Sequence, residues 1–142
     1  METTYQSDSP EATEQIAAEL AGQLGPGSCL CLIGQLGAGK TAFVRGLARG
    51  LGVDDPRIVS SPTYVLCQEY PCRVPLYHLD VYRMGEPDAE LVDLGFEEML
   101  AEGVVAMEWA DRIEDVLPPG RIEVRFAITG PETRQLLVRH VD

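Results

Sequence analysis

The chain has 142 residues, of which 45% are hydrophobic and 24% charged, values that are ordinary for one globular domain. Its formal net charge is −12, which argues against direct binding of RNA or DNA, because phosphate contacts need clustered lysine and arginine. No apolar run approaches membrane-spanning length and no signal-peptide pattern opens the chain, so we expect a cytoplasmic protein without membrane contact.

Turn residues and apolar runs divide the first third of the chain into a helix, a strand and a second helix. Residues 1–8 are polar, and we expect them to be disordered. Ser9-Pro10-Glu11 supplies a capping hydroxyl, a first-turn proline and an acid, which predict a helix that Gly25-Pro26-Gly27 ends. Ser28–Ile33 is typical of a strand buried on both faces, with its two cysteines as free core thiols. The next helix is predicted to begin at about Lys40.

The remainder predicts two antiparallel strand pairs around a helical stretch. The first pair is Tyr64–Tyr70 with Leu76–Tyr82, and the second is Ile122–Thr129 with Arg134–Val141. The elements between them are helices within Asp88–Glu102 broken near Gly95, a buried strand Val104–Glu108 and a short helix Asp111–Leu117. Together the elements predict a single α/β domain over residues 1–142, with three layers and a mixed parallel/antiparallel sheet.

One lysine occurs in the whole chain, and ten of the eleven basic residues are arginine. That lysine, Lys40, lies in Gly34-Gln35-Leu36-Gly37-Ala38-Gly39-Lys40-Thr41, which has the spacing G-x-x-x-x-G-K-[ST]. A slim ammonium on a four-carbon stem can fold back over a tight loop to phosphate oxygens, whereas a planar guanidinium is too wide. The loop's N–H groups and the following helix N-terminus complete an anion cradle. The segment therefore predicts binding of a nucleoside triphosphate. With the elements above, it predicts a P-loop NTPase-like domain.

Phosphoryl chemistry also needs Mg²⁺ and an acid beside the loop. The Thr41 hydroxyl can bind the metal. Asp80 and Glu108 each end a buried-type strand, and we expect at least one of them to serve the metal. His78 lies within a strand and is interpreted as a packing or hydrogen-bonding residue, not as a base.

The absence of two motifs limits which nucleotide the chain is expected to bind and which reaction it is expected to catalyse. A guanine-reading N-K-x-D element needs a second lysine, which the chain does not have, so adenine is favoured. Small-molecule kinases with a phosphate loop usually carry an arginine-rich lid, and Arg112, Arg121 and Arg125 are instead spread over a predicted helix and strand. A bound small acceptor is therefore not favoured.

These motifs, in this order, resemble the TsaE (YjeE) family. The blocks that carry the resemblance are the phosphate loop, Ser61-Pro62-Thr63-Tyr64, His78-Leu79-Asp80-Val81-Tyr82-Arg83 and Glu108-Trp109. The resemblance implies an ATPase required for threonylcarbamoylation of adenosine 37 in tRNAs that read ANN codons. It implies work with the proteins TsaD and TsaB, whose complex would be reset by ATP hydrolysis, and contact with tRNA only indirectly.

The resemblance also implies a set of site residues, with ATP and Mg²⁺ as cofactors. Mg²⁺ would be held by Thr41 and Glu108, while Lys40 and Asp80 would be catalytic, Asp80 lying next to the γ-phosphate as a metal-binding or water-positioning acid. Ser61 to Thr63 would form a switch-like segment. The implied nucleotide-binding residues are Thr13, near the adenine, and Gly37, Ala38, Gly39, Lys40, Thr41 and Ala42.

Two positions depart from the family pattern. Gln35 replaces the usual aspartate after the first loop glycine, so any role of that acid is absent. The family commonly has E-W-P-E, and this chain has Glu108-Trp109-Ala110-Asp111, which leaves Glu108 intact and puts the role of the second acid in doubt. The leading hypothesis is a slow, partner-stimulated, Mg²⁺-dependent ATPase. A small-molecule kinase is the alternative, and a nucleotide-dependent binding module with negligible hydrolysis is a third possibility.

Overall fold

A computed structural model describes residues 2–35, 37–53, 67–80, 86–108 and 117–141. In these ranges the chain forms a sheet of seven strands in the order β1-β7-β6-β2-β5-β4-β3. The strands are β1 (Glu2–Ser7), β2 (Cys29–Ile33), β3 (Cys67–Tyr70), β4 (Leu76–Asp80), β5 (Val104–Glu108), β6 (Ile122–Ile128) and β7 (Arg134–His140). The helices are α1 (Pro10–Ala21), α2 (Lys40–Gly50), α3 (Pro87–Leu94) and α4 (Phe96–Glu102).

The sheet is mixed, as the sequence predicts. Its centre is parallel, with β2 between β6 and β5, and with β4 on the far side of β5. Its edges are antiparallel, where β1 pairs with β7, β7 with β6, and β3 with β4. Strands β2 and β5 are fully buried except for the last residue of β2, which explains their continuous apolar sequences.

Two helical layers cover the sheet. On one face, α1 and α2 pack around Phe43, Val44 and Leu47, all 0% exposed. On the other face, Leu91 of α3 and partly buried side chains of α4 pack against the sheet. The three-layer α/β prediction is therefore confirmed. No helix in the described ranges is long and apolar enough to span a membrane.

The predicted start of α1 is confirmed, whereas its predicted end is not. Ser9 accepts a 3.0 Å hydrogen bond from the Ala12 N–H, and Pro10 occupies the first turn of α1. That helix ends at Ala21, earlier than predicted, because Gly22 caps it by donating its N–H to the carbonyls of Glu19 and Leu20. Gly95, with φ of 82°, separates α3 from α4, as predicted.

One prediction about the N-terminus is wrong. Within the segment 1–8, Glu2–Ser7 is not disordered but forms β1. Its backbone pairs antiparallel with β7 from Glu2 opposite Arg139 to Ser7 opposite Arg134. The backbone hydrogen bonds of an edge strand do not require an apolar pattern, so a polar sequence can form one. The predicted helix Asp111–Leu117 lies outside the described residues, apart from Leu117 itself.

The topology brings the candidate site to the carboxyl ends of the parallel strands. The parallel strands β2, β4 and β5 all end on the same side of the sheet. In open α/β sheets, ligands bind at the carboxyl ends of the strands. The phosphate loop follows β2, Asp80 ends β4 and Glu108 ends β5. Residues distant in sequence therefore meet at the N-terminus of α2.

Candidate functional site

The glycines of the phosphate loop are each required by its geometry. Gly37 and Gly39 have φ of 80° and 106°, in the left-handed region that side chains with a Cβ rarely adopt. Gly34 lies close to β6, where an added Cβ would be 2.9 Å from the Cβ of Phe126. These glycines allow a tight loop directly before the N-terminus of α2, a location that suits phosphate binding.

Lys40 is the first residue of α2 and is 5% exposed. Its side chain folds back over the loop, where Nζ donates a 2.8 Å hydrogen bond to the Gly34 carbonyl oxygen. Nζ also lies 3.9 Å from Glu108 Oε1. The ammonium therefore lies over the phosphate loop and within ion-pair distance of Glu108.

Three polar residues, Asp80, Glu108 and His78, lie near the carboxyl ends of β4 and β5. Asp80 and Glu108 are direct neighbours in the parallel register, and Glu108 is also the neighbour of Leu32 in β2. Glu108 is 6% exposed, and its Oε2 lies 2.5 Å from Nε2 of His78, which is 0% exposed. Both predicted acids thus lie at the carboxyl ends of neighbouring strands, Glu108 on the strand next to β2 and Asp80 one strand further from the loop.

The side chains of Glu108 and Thr41 are suitable ligands for Mg²⁺. This ion binds through one or two protein oxygens plus phosphate oxygens. The Glu108 carboxylate turns one oxygen, Oε1, toward Lys40 at the loop. Thr41 is the second residue of α2 and is partly exposed. A carboxylate and a hydroxyl are hard oxygen ligands, so the residue types suit the metal.

A cleft of about 410 Å³ lies beside the loop. Its walls come from the N-terminus of α1, the phosphate loop and the turn between β6 and β7. Thr13 lines it and is 1% exposed, with its Oγ1 2.7 Å from Ser7 Oγ. Gly39 approaches Thr13 closely, since a Cβ on Gly39 would lie 3.8 Å from Thr13 Cγ2. The volume of the cleft is sufficient for a base and ribose.

The cleft is also lined by charged residues that the sequence analysis did not identify as site residues. Asp8, Glu11 and Glu132 contribute carboxylates, and Arg134 contributes a guanidinium. Arg134 donates from Nη2 to the Gly37 carbonyl oxygen at 3.2 Å, so β7 is bonded to the phosphate loop. The hairpin around Gly130-Pro131 was predicted, but its position beside the loop depends on the sheet order, which no local pattern reveals.

The structure places the other predicted residues as follows. Gly37, Gly39 and Ala42 line the cleft, and Ala38 is 0% exposed within the loop. His140 is exposed. The predicted switch-like segment Ser61 to Thr63, and Trp109 and Asp111, lie outside the described residues. No contact tests the roles of the site residues, which stay predictions.

Known proteins resemble this chain over most of its length. Residues 7–136 match the family model "Threonylcarbamoyl adenosine biosynthesis protein TsaE". A tRNA threonylcarbamoyladenosine biosynthesis protein TsaE of Bacillus subtilis is 44% identical over 134 residues, which are 93% of this chain and 82% of the relative. The protein of the same description from Treponema pallidum is 37% identical over 113 residues, covering 79% and 82% of the two chains.

A solved structure is similar to the fold as a whole. The crystal structure of Bacillus subtilis YdiB superposes with a TM-score of 0.80 at 34% identity. The superposition covers 100% of this chain and 87% of that chain. The likeness supports the P-loop NTPase-like assignment of the fold.

Proposed function

The chain belongs to the TsaE family of threonylcarbamoyladenosine biosynthesis proteins, and from this premise we propose that it is the ATPase that supports threonylcarbamoylation of adenosine 37 in ANN-decoding tRNAs. The observation that carries the proposal is the arrangement of Lys40 and Glu108. Both lie at the phosphate loop, although they come from different elements and lie 68 positions apart in the sequence (108 − 40). This juxtaposition suits a triphosphate and its metal, and a Gly-rich turn that only links a strand to a helix would not need it.

In the proposed mechanism, the triphosphate lies across the N–H groups of the loop. Lys40 exchanges the Gly34 carbonyl oxygen for phosphate oxygens, a short movement because Nζ already lies over the loop. Thr41 and Glu108 would hold Mg²⁺, which would neutralise charge on the phosphates. Asp80 lies beside Glu108 and positions the attacking water.

The cleft beside the loop suits the adenosine. It begins at Gly37 and Gly39 and extends to Thr13, so a base held there would remain joined to phosphates in the loop. Thr13 forms part of the wall of this cleft, with 1% of its surface exposed. We expect ATP to be the nucleotide, because the chain lacks the second lysine of a guanine-reading element.

The proposed partner is the TsaD–TsaB complex in the cytoplasm, and tRNA is reached only through it. The net charge of −12 disfavours a direct grip on tRNA phosphates. The same charge suits a basic surface on a protein partner. In this proposal, ATP binding and hydrolysis reset the complex between rounds of modification.

Substitution of Glu108 and Asp80 tests the separate roles proposed for them, metal binding for Glu108 and positioning of water for Asp80. Glu108→Ala is expected to weaken Mg²⁺-dependent ATP binding together with turnover, because a rigidly placed metal ligand is lost. Asp80→Asn is expected to keep ATP binding and lose hydrolysis, because its interaction is needed mainly in the transition state. Calorimetry measures the binding, and phosphate release in the presence of TsaD and TsaB measures the turnover. Hydrolysis by Asp80→Asn at the wild-type rate would contradict the role given to Asp80.

A further inference from the structure

We propose that His78 is a positioning residue, which holds the Glu108 carboxylate through Oε2 so that Oε1 alone faces the phosphate loop. The inference rests on the proposed function, in which Glu108 binds Mg²⁺. It concerns a residue that the resemblance leaves without a role, and it is carried by the contacts of His78 itself.

The contact between the two side chains is short and fully buried. His78 Nε2 lies 2.5 Å from Glu108 Oε2, and the two side chains are 0% and 8% exposed. Asp80 is the register neighbour of Glu108, whereas His78 is the neighbour of Ala106. The Glu108 side chain therefore turns back along the sheet to reach His78. A hydrogen bond to a carboxylate is stronger than one between neutral groups, and burial strengthens it further.

The two oxygens of Glu108 have different surroundings. His78 occupies Oε2, whereas Oε1 lies 3.9 Å from Lys40 Nζ, a distance for an ion pair and not for a direct hydrogen bond. Oε1 is therefore the oxygen that can bind a metal on the loop side. Fixing one oxygen of a ligating carboxylate in this way orients the other, as hydrogen-bonded outer-shell partners commonly do.

Among the described residues, His78 makes no polar contact other than the one with Glu108 that would explain its burial. Within the described part of the chain, its Nδ1 is buried without a hydrogen-bond partner. The ring packs on Tyr70, with centroids 6.4 Å apart. A hydrogen on Nε2 meets the carboxylate, whereas a hydrogen on Nδ1 would be a buried donor without an acceptor, which is rare in native proteins. The geometry thus places the hydrogen on Nε2, where it serves Glu108.

Nitrogen-15 NMR of the imidazoles tests the contact without any nucleotide. The chain has only two histidines, and a His140→Gln variant assigns their signals, since His140 is exposed. The expected result is a hydrogen on Nε2 of His78. A hydrogen on Nδ1 alone would overturn the proposal, because Nε2 could not then donate to Glu108.

Two substitutions of His78 test its consequence for the metal. His78→Gln keeps an N–H donor near the position of Nε2, whereas His78→Leu keeps bulk and removes the donor. Calorimetry of ATP binding with and without Mg²⁺ is expected to show that the leucine variant loses about ten-fold or more of the affinity gained from Mg²⁺. Its affinity for ATP without Mg²⁺ should be unchanged, and the glutamine variant should retain most of the gain.

The outcomes separate this inference from the function on which it rests. A folded leucine variant that keeps the full Mg²⁺ gain, or an equal loss in both folded variants, would overturn the positioning role. If the leucine variant does not fold, the glutamine variant and the NMR result decide the question. If wild-type ATP affinity does not depend on Mg²⁺, the metal role of Glu108 fails, while the NMR experiment still tests the hydrogen bond.

Discussion

The close packing of α1 on α2 predicts how much stability the protein loses when Gly46 is replaced by alanine. A Cβ added to Gly46 would lie 2.1 Å from the Glu14 carbonyl oxygen and 2.7 Å from the Ala17 Cβ. Ordinary contact begins at 3.4 Å, so the two helix backbones would have to separate by about 1.3 Å (3.4 − 2.1). Overpacking of this kind costs about 3 kcal/mol at the upper end of its usual range, and the better helix propensity of alanine returns about 1 kcal/mol.

Gly46→Ala is therefore expected to lower the free energy of unfolding by about 2 kcal/mol and Tm by roughly 8 °C. Gly25→Ala is the matched control, because no atom lies within 4 Å of its added Cβ, and it should change stability by less than about 0.5 kcal/mol. Thermal and urea unfolding measure both variants. Since α1 carries Thr13 into the cleft, ATP affinity should also fall in Gly46→Ala. Equal Tm values for the two variants would refute the packing argument.

The remaining predictions concern the nucleotide and the thiols. Calorimetry should show that Lys40→Ala loses about 2–4 kcal/mol of ATP-binding free energy while it remains folded. Lys40→Arg should lose ATP binding as well, and wild-type affinity in this variant would refute the steric argument for lysine. GTP should displace labelled ATP much less well than ATP does, and equal competition would remove the adenine assignment. Burial and, to a smaller extent, Glu69 raise the pKa of the Cys67 thiol from 9.0 to about 11, which lowers its thiolate fraction. Mass spectrometry should therefore show alkylation of Cys67 at pH 8 about 100-fold slower than in urea, and equal rates would contradict its burial.

Local patterns were sufficient to predict most elements of the fold. The strands Val104–Glu108 and Ile122–Ile128 were predicted within one residue of their bounds, because one is a continuous buried run and the other is bounded by turn residues. The break at Gly95 was predicted because only glycine readily ends a helix with positive φ. The strand Glu2–Ser7 was missed, since its stability comes from pairing with Arg134–His140, at the other end of the chain.

The candidate site was predictable as a set of residues but not as a geometry. The phosphate-loop spacing identified Lys40, and strand ends identified Asp80 and Glu108 as acids near it. The contact of His78 with Glu108 depends on the register of β4 against β5, and the contact of Arg134 with Gly37 depends on the order of the sheet. Such register and order come from long-range pairing, so neither contact has a local signal.

ATP turnover by this chain alone, with TsaD and TsaB, and with a panel of small metabolites tests the account most directly. The account predicts slow turnover alone, a rise when the TsaD–TsaB complex is added, and loss of that rise in Asp80→Asn. A rise with a metabolite and none with the complex, accompanied by a phosphorylated product, would contradict it and identify a small-molecule kinase instead.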